Sequence, residues 1–321
     1  QKMIDHVLAC ALCCSPLAIT GNETGLWFVG DIDPSAAFST RHQDIDYELC
    51  ERFSASQYVV IHPLTRRPLA IAQDKKTLWF IDEASGTGLY KVQLSGLTRS
   101  STSRRASLQA PTMEAVFEER ENPTDFLLYQ EKPLLAFGNS GNGVLELFQY
   151  QDRKWNILHT LEGNHAQVSL LHDKLIAAVP NDSGVEMWYL HDDGWLGRDK
   201  LEHSGKLVDL ICHSDWPILV TTVGENALLS GIQQGVLVEI ASFKIPKGRW
   251  GVSSSPEGIT VVGVERKGTT TVLDIGWPSG SLSESIVLEE RFQEDDTLLT
   301  TFLFVSMLVV SMILIIKIRR S

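Results

Sequence analysis

One pattern repeats from residue 25 to about residue 290. It is an apolar strand, a turn carrying Gly, Asn or Asp, a second apolar strand and then a polar gap. The series runs Gly25-LWFV, Pro68-LAIAQDKKTLWFIDEASGTGLYKVQL, Pro133-LLAFGNSGNGVLELFQY, Lys174-LIAAVPNDSGVEMWYL, Pro217-ILVTTVGENALLSGIQQGVLVEI and Gly258-ITVVGVERKGTTTVLDI. Successive starts lie 43, 65, 41, 43 and 41 residues apart, and the long interval holds an insertion near residues 97–122. A period of about 40–45 residues with several short strands per unit is the signature of propeller blades. One such unit cannot bury both of its faces, so units stack around an axis. No stretch of this region keeps a helical period, and β-branched and aromatic residues crowd the strands. The expected fold is all-β, a β-propeller of about six blades (five to seven). A β-sandwich or a pair of small β domains is the alternative.

Two segments resemble known blade families. Leu161-EGNHAQVSLLHDKLIAAVPNDSGVEMWYL is similar to a WD-repeat blade, with His165 at that family's Gly-His position and Met187-Trp188 at its Trp-Asp. The resemblance implies that the His bonds back within the blade and that the Trp packs between sheets. Leu78-WFIDEASGTGLYKVQLSG resembles the YWTD type of extracellular propeller, with Leu78-Trp79-Phe80-Ile81-Asp82 in place of Tyr-Trp-Thr-Asp. Neither signature recurs in the other units, so the resemblance supports a propeller without selecting a family.

A second feature lies at the C-terminus. Residues 298–316, LLTTFLFVSMLVVSMILII, carry no charge, and as a helix rising 1.5 Å per residue they match a hydrocarbon core of roughly 30 Å. Acidic residues ending in Asp296 precede this run, and Lys317, Arg319 and Arg320 follow it. Basic residues mark the cytoplasmic side, so residues 317–321 are expected as a short basic cytoplasmic tail. The body of the chain is then expected outside the cell or in a secretory lumen, as a single-pass type I protein. Residues 289–297 read as an acidic membrane-proximal stalk.

Residues 7–19 are apolar and follow Lys2, which fits a signal peptide over 1–21 with cleavage after Gly21. The alternative is a buried strand that closes the fold. The ectodomain is then 22–288, with Asn22 and Asn181 in N-x-[ST] sequons as glycosylation candidates. With the leader removed, Cys50 and Cys212 remain as a candidate disulfide.

The insertion is rich in Ser and Arg and is expected as an exposed loop. Ser107 there follows Arg104-Arg105-Ala106, a basophilic kinase consensus that matters only if this face is cytosolic. The run Glu114 to Glu121 is read as a short helix packing Val116 and Phe117. Trp195, Trp216, Trp250 and Trp277 lie near turns, where an exposed Trp anchors a partner, and packing between blades is the alternative.

The net charge is −12, from 28 Lys+Arg against 40 Asp+Glu, which opposes phosphate backbones and argues against nucleic acid. No G-x-S-x-G elbow, H-E-x-x-H pair or P-loop occurs, and the nine His are scattered. No catalytic residue, metal ligand or cofactor is therefore assigned. The leading expectation is a receptor, adhesion or membrane-complex subunit that binds a protein partner and is anchored in a lipid bilayer. A tail-anchored cytosolic scaffold on an organelle membrane is the second reading. A tethered hydrolase with carboxylates at the channel mouth is the third.

Overall fold

A computed structural model describes residues 19–22, 25–31, 47–54, 57–64, 68–74, 77–82, 87–93, 98–99, 106–107, 112–117, 123–139, 143–163, 165–192, 194–246, 248–255, 258–264, 270–277 and 279–287. The chain divides into two compact units, Gln1–Val287 and Leu288–Ser321. The proposed stalk, membrane segment and tail fall in the second unit, and like the apolar leader up to residue 18, in the first unit, they lie outside the described residues. Among the described residues no helix is long and apolar enough to cross a membrane.

The first unit is a β-propeller of six four-stranded antiparallel sheets. Sheet I holds β1 (Ile19–Asn22), β2 (Gly25–Asp31), β3 (Tyr47–Ser54) and β4 (Gln57–Leu64). Sheet II holds β5 (Pro68–Gln73), β6 (Thr77–Asp82), β7 (Thr87–Gln93) and β10 (Thr112–Phe117), with a small hairpin of β8 (Thr98–Arg99) and β9 (Ala106–Ser107) inserted before its last strand. Sheet III holds β11 (Asp125–Tyr129), β12 (Lys132–Asn139), β13 (Val144–Gln151) and β14 (Lys154–Glu162). Sheet IV holds β15 (Gln167–Leu171), β16 (Lys174–Asn181), β17 (Gly184–His191) and β18 (Gly194–Glu202). Sheet V holds β19 (Lys206–His213), β20 (Trp216–Val223), β21 (Asn226–Gln233) and β22 (Val236–Lys244). Sheet VI holds β23 (Arg249–Ser255), β24 (Gly258–Val264), β25 (Thr270–Gly276) and β26 (Leu282–Val287).

The first strand of each sheet touches the first strand of the next: β1 with β5, β5 with β11, β11 with β15, β15 with β19, and β19 with β23. Contact of β23 with β1 closes the ring. Among the described residues every sheet draws its strands from one stretch of chain, interrupted only by the β8–β9 hairpin in sheet II, so closure rests on packing of sheet I against sheet VI and not on a sheet shared by the two ends.

The core lies between sheets. In β12, Leu134 and Ala136 join a cluster with Leu175, Ala177 and Val179 of β16, while Leu135 and Phe137 face Ile81, Leu89 and Phe117 of sheet II. In the same way Ile176 and Ala178 of β16 meet Leu207, Leu210 and Leu219 of sheet V. Alternate side chains thus serve opposite neighbours, so a second strand buried on both faces reads as an unbroken apolar run. Each fully buried Leu or Ile contributes roughly 1.5–3 kcal/mol.

Three sequence expectations change here. The second strands begin at Gly25, Thr77, Lys132, Lys174, Trp216 and Gly258, so the segment starting at Pro68 is an inner strand and not a phase match to the others. The stretch from Glu114 is not a helix: Thr112–Phe117 is the outer strand of sheet II, paired with β7, with Phe117 buried and Val116 exposed. Alternation, not a helical period, governs those residues. The insertion is not wholly a loop either, since Ser107 pairs with Thr98 and its strand lies against β4.

The N-terminal boundary also moves. β1 starts at Ile19 and pairs with β2 through Asn22 opposite Gly25, so cleavage after Gly21 would strip sheet I of most of its inner strand.

Tight turns join several strands. Gln130-Glu131, Asp152-Arg153 and His172-Asp173 all take positive φ at both residues, the mirror-image turn that matches strand twist. Side chains other than Gly, Asn or Asp are strained there by about 1 kcal/mol or more. Replacing Asp152→Asn together with Arg153→Gly is expected to raise stability by roughly 1 kcal/mol. Chemical denaturation of parent and variant measures it, with an unchanged m-value.

Candidate functional site

The inner strands present their unpaired edges to the axis of the ring. Their register fixes which side chains share a level. Asp125 pairs with Ala136, Gln167 with Ala178, Asp209 with Val220 and Gly251 with Val262, each pair 42 residues after the one before. These four residues are therefore equivalent positions of sheets III to VI. A bulge in β19, between Leu207 opposite Thr221 and Asp209 opposite Val220, brings Asp209 into this phase.

The edge amides meet the carboxylates. Val168 donates its backbone N–H to Asp125 Oδ2 at 2.8 Å, across the seam from sheet IV to sheet III. Leu210, the equivalent residue of sheet V, donates its N–H to Asp209 Oδ1 at 2.8 Å. Both carboxyl groups are half-buried, with protein around them but some solvent contact, as expected of side chains lining a narrow channel. Burial pushes Asp125 well above the usual carboxylate range, the charge of Asp209 pushes it further, and the Val168 amide offsets part of this. Burial likewise pushes Asp209 up to about 6, opposed by the Leu210 amide. The pair thus holds a proton at pH values where two free aspartates hold none. Such a pair binds a cation once the proton leaves, or passes a proton to a bound molecule.

Other polar contacts hold the seams at nearly the same step along the chain. His172 Nε2 meets Asp215 Oδ1 at 2.7 Å, and His213 Nδ1 meets Ser254 Oγ at 2.8 Å. The Cys212 thiol is hydrogen-bonded to the Ser169 side chain, and burial pushes it up to about 12. Cys212 is a free thiol, so the expected bridge to Cys50 does not form. The topology explains why: Cys50 is on the third strand of sheet I and Cys212 on the inner strand of sheet V, with sheet VI between them.

The tryptophans proposed as interface anchors are packing residues. Trp250 is buried in the layer between sheets V and VI, edge-on to Phe243 at 6.2 Å. Trp216 and Trp277 pack on that layer and on each other at 5.2 Å, and His213 sits 5.0 Å from Trp277. Trp195 packs between sheets III and IV beside His159. A large ring at a strand end is covered by the neighbouring sheet. Of what the WD resemblance implies, Trp188 does pack between sheets III and IV, whereas His165 is exposed with φ of 55° and makes no hydrogen bond among the described residues.

Asn181 is exposed in the β16–β17 turn, where its Oδ1 accepts bonds from Ser183 N at 3.0 Å and Ser183 Oγ at 3.1 Å. Gly184 completes that turn, since a Cβ there would run into the Leu201 carbonyl oxygen. Asn22 ends β1 at the turn into β2. Among the described residues no three His, Cys, Asp or Glu converge on a metal-sized site.

Neither Asp125 nor Asp209 stands out in the sequence by itself. The signal that finds them is the repeat laid out at 42 residues, which stacks Asp125, Gln167 and Asp209 in one column ahead of Phe126, Val168 and Leu210.

No protein-family model matches the chain, and no curated protein matches it. Among solved structures it is similar to a luciferin-regenerating enzyme, at 10% identity over 80% of this chain and 86% of that one, with a TM-score of 0.50. It is also similar to a puromycin hydrolase variant, at 13% identity over 88% of this chain and 56% of that one, with a TM-score of 0.51. At these identities the likeness shows the propeller fold alone.

The carboxyl pair sets a pH dependence. Between 3.8 and about 6 the folded chain keeps a proton on Asp209 that the unfolded chain releases, so stability falls as pH rises through this window. The cost on the charged form is at most about 3 kcal/mol, reduced by solvent in the channel. Asp209→Asn keeps the acceptor for Leu210 N–H and removes the charge. It is expected to melt above the parent at pH 7.5 and to converge with it near pH 4; parallel curves from thermal scans across that range would contradict the assignment.

Proposed function

We propose that this chain is a membrane-tethered propeller that binds a protein partner, which places a cationic side chain against the carboxyl pair of the channel. The observation that carries the reading is a pair of inner-strand carboxylates, Asp125 and Asp209, at equivalent positions two sheets apart, each accepting a backbone N–H and the charge of Asp209 reaching Asp125. Both lie in the N-terminal part of their strands, near the end of the channel where each sheet connects to the next. A Lys or Arg from a partner relieves the mutual repulsion that raises Asp125. The net charge of −12 favours approach of a basic surface.

Tethering rests on the uncharged run at residues 298–316 and the basic residues Lys317, Arg319 and Arg320 beyond it. The ectodomain then faces the cell exterior or a secretory lumen. The exposed Asn181 turn supports that side, because its side chain is accessible to a glycosyltransferase.

A second reading draws on the same pair. Two carboxyls with unequal proton affinity in one channel can act as acid and base on a bound molecule. The cation-binding reading predicts affinity that rises with pH through about 6, as the pair loses its proton. The acid–base reading predicts turnover with a bell-shaped pH profile.

Two experiments test the proposal. N-glycosidase treatment of cell-expressed protein is expected to shift its gel mobility, and Asn22→Gln with Asn181→Gln to abolish the shift. No shift, together with digestion of the propeller by protease added to intact vesicles, would favour the cytosolic scaffold. Fluorescence titration with an arginine-rich peptide is expected to show binding at pH 7.5 that weakens about tenfold at pH 5 and disappears in Asp125→Asn with Asp209→Asn. Binding unaltered in that variant would remove the channel from the reading.

A further inference from the structure

A cleft of about 250 Å³ opens between sheets III and IV, lined by Tyr129 and His159 from one and by Lys174, Leu190, His191 and Asp192 from the other. It lies at the turns that follow the inner strands, at the opposite end of those strands from the residues equivalent to Asp125. We propose that this cleft binds a single acidic sugar residue, such as a uronic acid, with its carboxylate on Lys174 and its hydroxyls on Asp192 and His159.

At the cleft, sheet IV departs from its neighbour at two equivalent positions. In sheet III the first residue of the second strand, Lys132, donates from Nζ to Gln151 Oε1 at 2.9 Å, bridging the ends of β12 and β13. The corresponding residues of sheet IV are Lys174, opposite Leu171 as Lys132 is opposite Tyr129, and His191 at the end of β17. Among the described residues no hydrogen bond or ion pair occupies the Lys174 ammonium. Gln151 faces Lys154 across the next strand pair, whereas His191 faces Gly194. A Cβ at Gly194 would meet nothing within 4 Å, so the missing side chain leaves open space beside the cleft.

The lining selects the ligand class. The exposed Lys174 ammonium has no protein partner among the described residues and so offers a positive charge to an anionic group. Burial lowers His159 and keeps its ring neutral, so it offers one donor and one acceptor and not a second positive charge. Asp192 would repel a simple oxyanion such as phosphate but accepts hydrogen bonds from hydroxyl groups. Leu190, buried at 8% exposure, gives an apolar floor, and Tyr129 an aromatic wall. A carboxylate and several hydroxyls on a small ring with one apolar face satisfy all of these at once. The volume falls below the roughly 300 Å³ at which pockets for drug-sized ligands begin, which limits the occupant to about one ring.

The test uses the purified full chain in detergent, titrated calorimetrically with glucuronate, glucose and inorganic phosphate. Glucuronate is expected to bind, with glucose and phosphate each at least tenfold weaker. Lys174→Gln is expected to weaken glucuronate about tenfold or more, as loss of a charge-assisted contact does. Lys132→Gln, the same position one sheet back, is expected to leave binding unchanged. Absence of glucuronate binding, equal binding of phosphate, or glucuronate binding that survives Lys174→Gln would each overturn the proposal. The channel variant Asp125→Asn with Asp209→Asn is expected to keep glucuronate binding, which separates this site from the channel.

Discussion

Everything in this propeller depends on one contact type, the face-to-face burial of each sheet between two others. A four-stranded antiparallel sheet has two faces and two edges, and here both faces of the second strand are apolar. Leu134, Leu135, Ala136 and Leu145 are all fully buried, yet they belong to layers on opposite sides of one sheet. No sheet can satisfy that arrangement alone or at the end of a row. The ring must close, and β23 against β1 closes it without a strand exchanged between the first and last sheets. Stability of the whole is then coupled to the weakest of six seams.

The seams are also where the polar chemistry sits. Val168 to Asp125, Ser169 with Cys212, His172 with Asp215 and His213 with Ser254 each join a residue to one about a repeat away. The period of the sequence and the step around the ring are one quantity, so a side chain that reaches sideways finds a partner one period on. Most of these contacts satisfy groups that packing has partly desolvated. The carboxyl pair differs in kind. Holding Asp125 and Asp209 within each other's field works against folding at neutral pH, and such a cost in a packed fold is a mark of function more often than of architecture.

The architecture was legible in the sequence because strands buried on both faces leave uninterrupted apolar runs such as Leu134-LAF and Leu175-IAAV, spaced by the period of the fold. The number of sheets followed from counting those runs. What failed was local. The run Glu114 to Glu121 looked helical because acidic residues flank Val116 and Phe117, and only pairing with β7 after a long insertion makes its first part, up to Phe117, a strand. The tryptophans sit beside turns in the chain, but a ring at the end of a strand is covered by the next sheet, which sequence position does not encode. Cys50 and Cys212 are the two cysteines beyond the leader, yet the ring holds their sheets apart. Asp125 and Asp209 are ordinary residues until the repeat is aligned through the bulge that precedes Asp209.

The two aspartates occupy sheets III and V, with Gln167 between them on sheet IV and Gly251 next in order on sheet VI. Among sheets III to VI the charge at this level therefore sits on III and V alone. With both carboxylates ionised, a cation at this level would be drawn most strongly towards the stretch of wall between them, formed by sheet IV. A cation drawn inward would drift off the central line and settle there, against a glutamine that can donate to one neighbour and accept from another. Lopsidedness of this kind turns a rotationally repetitive scaffold into one with a preferred azimuth. Whatever enters is then held in a single orientation about the axis, where an evenly charged ring would let it spin.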